Sequence, residues 1–419
     1  MLLASFPRLD EQVTAADARR AILVRGLEVH EALRGAVEER SFRRQMLISA
    51  LQSVPLEQLR LATPYFWAHL RAAYAALAAR RDADLGPRLD RLGLAALDSF
   101  AFLPAFHWNG ELPAPAVGGF HVPRLGLSAE RDHELRGLYW SPGTLHFVFA
   151  DGRESARAVP AAASEGPKAA EKPACALLHG AEVDLGENVA KLERDVAARE
   201  AFAAQLSGAW AVVDRASADA ADIVRLEVQQ VVPLQMAARH LSFSLSNLPG
   251  TIFVGAARSP WPVAEALVHE AAHLRLNHAA EAAPLTIGGR DTVCYSPWRD
   301  DPRPVEGVVH GVYAFSLVLG FWLEALYRES SCLDASGRAF AQARCAELRV
   351  QLEDAFSVLR QCRLAPLADL VASRLAALLP DEVATAISRT EYERARQYSS
   401  THRQRMLAAF PDLIVPDSR

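Results

Sequence analysis

The sequence predicts an α+β protein that is predominantly α-helical, with a small β-containing middle and a helical C-terminal region. Apolar residues recur every three or four positions over long Ala-, Leu- and Arg-rich stretches at both ends, which is the period of an amphipathic helix. In the centre, aromatics, Pro and Gly replace that period and short alternating runs appear, as strands and turns require. Of the 419 residues, 51% are hydrophobic and 23% charged, the balance of a soluble globular chain with a sizeable core, which excludes disordered and collagen-like classes. The formal net charge of −5 leaves no basic field, so neither nucleic acid nor an anionic membrane is an expected partner.

The first region, 1–110, is read as helical from stretches such as AILVRGLEVHEALRGAVEERSFRRQMLISALQ. The middle region, 111–260, follows an aromatic- and Pro-rich change at 100–123. There LYWSPGTLHFVFADGRE offers two strand-like runs about Pro142-Gly143. Residues 158–173, with Lys168 and Lys172, have little to bury and read as an exposed loop. After it come a strand in ACALLHGAEVDLG, a helix over 187–217 and a strand or strand-to-helix junction in IVRLEVQQVVPL. A hairpin in LSFSLSNLPGTIFVGA turns at Pro249-Gly250. The third region, 261–419, is helical, with a loop-rich break at 284–304. No repeat of solenoid period occurs.

The five cysteines (Cys175, Cys294, Cys332, Cys345, Cys362) form no CxxC pair, so neither a thiolate zinc knuckle nor a disulfide framework is expected, and a reducing cytoplasm fits. The N-terminus reaches acidic residues before an apolar core of signal-peptide length forms, which argues against that route of export. The longest apolar run, 307–323, contains His310 and meets Glu324 at once, so it reads as a buried helix and not a membrane span.

Chemistry concentrates in PVAEALVHEAAHLRLNH, residues 262–278. His269-Glu270-Ala271-Ala272-His273 is an HExxH motif, and helical spacing of four sets both imidazoles on one face, where they can bind one divalent metal. Such a helix is zincin-like. Glu270 is turned away from the ligand line yet within reach of a metal-bound water. The neighbours Ala266, Leu267, Val268, Leu274 and Leu276 imply a buried helix, where polar side chains need partners.

A third ligand has to come from elsewhere. The metzincin pattern demands Gly at 276 and His at 279, and this chain has Leu276 and Ala279. Glu306 is a formal thermolysin-type candidate and Glu324 a weaker one. His310, between Gly307 and Gly311 in a second apolar helix, is the stronger candidate. Between the two helices, Tyr295-Ser296-Pro297-Trp298-Arg299-Asp300-Asp301-Pro302-Arg303-Pro304 offers two guanidinium groups that can grip a carboxylate. An internal Arg299–Asp301 salt bridge would explain the same residues.

The run HEAAHLRLN, followed by YSPWRDDPRP and GVVHGVYAF, resembles the HExxH-motif peptide-modification proteins of pathways for ribosomally synthesised, post-translationally modified peptides. The resemblance covers 263–315, and 1–110 supplies no matching motif. It implies an iron(II)- and 2-oxoglutarate-dependent oxygenase, a dioxygenase that consumes O₂ and β-hydroxylates a residue of a precursor peptide in natural product biosynthesis. It makes His269, His273 and His310 the iron ligands and Arg299 or Arg303 the holder of the 2-oxoglutarate carboxylate. Beside these, Tyr295, Trp298 and Tyr313 are the candidate substrate contacts. Two alternatives stay open: a zinc metallopeptidase with Glu270 as general base, and a peptide-binding protein without catalysis.

Overall fold

The computed structural model describes residues 192–193, 195–235, 242–246, 248–287, 293–327, 333–376 and 387–416, and before them the elements named below with Leu92 and Ala95. Helix accounts for 67% of the described residues, with small sheets beside it, the α+β class that the sequence predicts. The described chain divides into two compact units, one holding Leu245–Thr251 and the described part of Thr14–Leu192, the other Glu193–Ser244 and Ile252–Arg419.

The first unit contains α1 (Pro64–Ala78), whose Phe66, Leu70 and Ala73 are buried at the four- and three-residue spacing of one helix face. The rest of the expected helical region 1–110, the loop at 158–173 and most of the run at 174–186 lie outside the described residues. Strands β1 (Glu111–Pro113), β2 (Phe120–Val122), β3 (Leu127–Ala129), β4 (Leu135–Ser141), β5 (Thr144–Phe149) and β6 (Glu154–Ala158) follow. Four of them form an antiparallel sheet in the order β1-β4-β5-β6, and β2 pairs with β3. Ser141 pairs with Thr144, so only Pro142 and Gly143 separate β4 from β5, as the strand-turn-strand reading expects. A short strand β7 (Ala174–Cys175) ends the described part of this region.

The second unit opens with α2 (Val196–Ala216), capped by the Asp195 carboxylate, which accepts the Ala198 N–H at 2.7 Å. Ser217 caps α3 (Ala218–Glu227) in the same way, accepting the Ala220 N–H. The stretch 223–234, read as a strand or a strand-to-helix junction, is the end of α3 followed by β8 (Gln230–Leu234), a helix-to-strand order. β-branched residues raised the strand reading of IVRLE, and the Ser217 cap and the packing of Val224 hold it helical. The hairpin β9 (Ser242–Ser244) and β10 (Thr251–Gly255) is antiparallel, Phe243 opposite Phe253, and Gly250 takes a φ of 83° that only glycine adopts freely. β10 lies between β8 and β9, which puts β9 at the sheet's outer side.

The motif helix α4 (Pro260–Ala280) starts with Pro260 and Pro262 in its first turn and buries Trp261, Val263, Leu267, Leu274 and Leu276 among others. It packs against α2, α3 and α5 (Val305–Tyr327). Each fully buried Val, Leu or Phe in that interface contributes about 1.5–3 kcal/mol. α5 is long and apolar enough to cross a membrane by length and composition. However, 78% of its most apolar 18-residue window is inside the protein, the setting of a core helix. Behind α5 pack α6 (Ala335–Leu359) and α7 (Pro366–Ala376), and α8 (Arg389–Ala409) covers α6. The loop between α4 and α5 is closed at its base by β11 (Val293–Cys294) and β12 (Arg303–Pro304), with Cys294 opposite Arg303.

Candidate metal centre

One turn of α4 separates His269 from His273, and their Nε2 atoms face each other at 3.0 Å with the rings nearly perpendicular, at 87°. α5 supplies the opposite wall. Its His310 ring lies 5.6 Å, centre to centre, from that of His273, and its Phe315 ring 4.4 Å from that of His269. These side chains line a cavity of about 410 Å³ with Glu270, Arg299, Arg303, Trp298, Ser296 and Asn277, and the hairpin residues Ser242–Ser244 form its remaining side. Seven of the nine residues singled out in the sequence as metal, catalytic or carboxylate-binding groups or substrate contacts, all but Tyr295 and Tyr313, are thus gathered on one space.

Burial dominates the electrostatics. It holds the His269 imidazole well below its usual range, at about 3, helped by the Arg344 guanidinium, and it takes His310 to about 4. His273 is pushed well below its usual value by burial and by the other two histidines. All three are therefore neutral at pH 7, the form that donates a lone pair to a metal. Two neutral Nε2 atoms 3.0 Å apart can share at most one proton, and the buried Nδ1 of His269 has no hydrogen-bond partner. The same 3.0 Å is the spacing of two ligands on one ion at bond lengths of about 2.0–2.1 Å and an angle near 90°. The donor set fits a divalent transition metal. Among the described residues, no three His, Cys, Asp or Glu side chains are already drawn tightly enough around one point to hold an ion as they stand.

Glu270 is 2% exposed, and its Oε1 accepts the Ser242 hydroxyl at 2.8 Å while Oε2 has no partner. Burial raises its carboxyl to about 7, against the opposing pull of the Ser244 and Ser242 hydroxyls. A carboxyl poised near neutrality at the cavity wall can accept or deliver a proton there.

The arginine loop is tied down by its own aspartates. Asp301 receives Arg299 Nε at 3.2 Å and sits 3.4 Å from an Arg303 amino group, so one carboxylate serves two guanidinium groups that both line the cavity. Asp300 turns the other way, to Arg405 and, at 3.4 Å, His402 of α8. The rim keeps a net positive charge, which suits an anionic ligand. Trp298 stacks on Phe315, with ring centres 4.8 Å apart, and lies over Gly311, where a Cβ would come within 2.5 Å of the indole. The glycine beside His310 is thus the seat of Trp298. Behind the cavity, Glu265, one turn before His269, accepts Arg344 Nε at 2.8 Å and Trp322 Nε1 at 2.9 Å, which fixes α4 against α5 and α6.

Two expected substrate contacts are not in the cavity. Tyr295 is fully buried, and its hydroxyl meets His402 Nδ1 at 2.9 Å, so it anchors the loop to α8. Tyr313 is fully buried on another side of α5. At roughly 100° per residue, Gly307, His310, Gly311 and Phe315 share the cavity side, from which Tyr313 and Glu306 are rotated away. Glu324 lies 14 residues beyond His310, roughly 21 Å along the helix. Asn277, at the next four-residue step after His273, was legible from that spacing. Ser242 and Ser244 were not, because only the fold brings the hairpin to α4. The chain matches no protein-family model and no curated protein, so the residues themselves carry the functional reading.

Proposed function

We propose that the chain is an iron(II)- and 2-oxoglutarate-dependent oxygenase that β-hydroxylates a residue of a ribosomally made precursor peptide in the cytoplasm. The observation that carries the proposal is one cavity that combines three neutral imidazoles, two with Nε2 atoms 3.0 Å apart, and two arginines sharing a single aspartate. His269, His273 and His310 would hold the metal, with α4 used in zincin fashion, and the bound iron would supply O₂ activation coupled to decarboxylation of the keto acid. The arginine pair would grip the distal carboxylate and fix the reach of the cosubstrate. Trp298 and Phe315 form an apolar wall that keeps water from the reacting centre. The resemblance of residues 263–315 to the HExxH peptide-modification proteins supports the same reading.

A second reading, zinc metallopeptidase, is favoured by one observation: Glu270 is buried beside the histidines with its carboxyl near neutrality, as a general base should be. Protein purified without oxygen and loaded with iron(II) should consume 2-oxoglutarate and add one oxygen atom to its precursor peptide. Zinc-dependent cleavage of that peptide with no gain of oxygen, abolished by Glu270→Gln with metal still bound, would replace the oxygenase reading by the peptidase.

A further inference from the structure

Cys294 is fully buried in β11 and Cys362 half-buried just past α6, 68 positions apart in sequence, yet their Sγ atoms are 3.6 Å from each other. Cys294 stands opposite Arg303 at the base of the arginine loop, and the next residue, Tyr295, donates its N–H to the Ile414 carbonyl at 2.8 Å. A bond between the two sulfurs would therefore tie the loop that presents Ser296, Trp298 and Arg299 directly to the end of α6. Closure needs an approach of about 1.5 Å to reach a disulfide length of about 2.05 Å, a distance within the swing of two side chains.

We propose that Cys294 and Cys362 form a redox-modification site, in which thiol–disulfide exchange with a small-molecule disulfide converts the pair into an intramolecular disulfide across the base of the arginine loop. The chemistry has a direction. Cys362 is the less buried of the two, and the hydrogen bond it shares with Cys294 lowers its thiol below the usual range, so it is the attacking thiolate. It loses a proton and attacks one sulfur of the reagent disulfide, forming a mixed disulfide and expelling one thiolate. Cys294 loses its proton and attacks Cys362 Sγ, forming the protein disulfide and expelling the second thiolate. Two protein thiols are oxidised, one reagent disulfide is reduced to two thiolates, and two protons leave. The proposal does not depend on which metal chemistry the cavity performs.

The test uses the full-length folded protein, incubated with excess glutathione disulfide, alkylated without reduction, digested with trypsin and mapped by mass spectrometry. The peptide Asp291–Arg299 should be recovered joined to Gln361–Arg363, while Cys345, buried in α6, is recovered alkylated. In Cys294→Ser the reaction should stop at a glutathione adduct on Cys362. Thermal unfolding of the untreated variant, compared with wild type, establishes that it is folded. Wild-type protein that carries only the adduct, that leaves both thiols alkylatable, or that cross-links through Cys345 would overturn the proposal.

Discussion

Replacing Gly311 by Ala tests whether the wall of the cavity is as tightly built as it looks. An added Cβ would lie 2.5 and 2.7 Å from two ring carbons of Trp298, and ordinary contact begins at 3.4 Å, so the indole has to retreat by at least 3.4 − 2.5 = 0.9 Å. It cannot slide freely, because it is stacked on Phe315, which in turn rests against His269. Gly307, one turn earlier in α5, is the internal control: a Cβ there meets nothing closer than 3.7 Å. Both replacements gain helix propensity, up to about 0.8–1.0 kcal/mol, with less in the first turn. Gly311→Ala alone adds overpacking, about 1–3 kcal/mol. Chemical denaturation should therefore show Gly311→Ala less stable than Gly307→Ala, by up to about 3 kcal/mol once its larger propensity gain is set against the overpacking. Metal titration should show roughly tenfold weaker binding for the former as the shift reaches His269 through Phe315. Equal stability and equal metal affinity in the two variants would refute the coupling of Trp298 to the histidines.

Three further outcomes follow from the same geometry. His310→Ala should lose most bound metal by elemental analysis while Glu306→Gln retains it, since only His310 lines the cavity; retention in the histidine variant would remove His310 from the ligand set. Arg299→Lys or Arg303→Lys should raise the apparent 2-oxoglutarate requirement far more than the peptide requirement, because lysine keeps the charge and loses the fork, and unchanged dependence in both would leave the loop a structural one. His402, lowered chiefly by burial and further by Arg405 against the pull of Asp300, is neutral in the folded state and takes up a proton more readily unfolded. Its share of stability is therefore present above about pH 6.5 and lost as pH falls below that value toward its folded pKa. The thermal margin of wild type over His402→Gln should narrow across that window, and a constant margin would exclude the assignment.

The legible parts of this fold are those where a local rule and the tertiary structure agree. Pro142-Gly143 and Pro249-Gly250 marked hairpins because a turn restricts backbone angles whatever surrounds it, and both hairpins are there. Pro262 falls in the first turn of α4, where a fixed φ suits a helix start for the same reason. The misread stretch, IVRLE, shows the opposite situation: its β-branched residues favour a strand, while Ser217 upstream caps a helix and Val224 packs into the core. A preference of a few tenths of a kcal/mol per residue is overridden by one cap and one buried face.

For the site, the spacing of His269 and His273 sufficed to set both imidazoles on one face, because both ride on one rigid helix, whose geometry is independent of the rest of the chain. The role of the loop was legible only in outline. Two arginines and two aspartates within five residues admit several pairings, and repulsion between the guanidinium groups does not choose among them. The fold decides by drawing Asp300 out to Arg405 and His402 on α8, a helix some 90 residues later, which leaves Asp301 alone to serve both arginines. The same anchor explains why Tyr295 is absent from the cavity: its hydroxyl is spent on His402. The positive rim beside the histidines is thus a consequence of α8, and a carboxylate ligand would complete a charge balance that the protein's own aspartates leave one short.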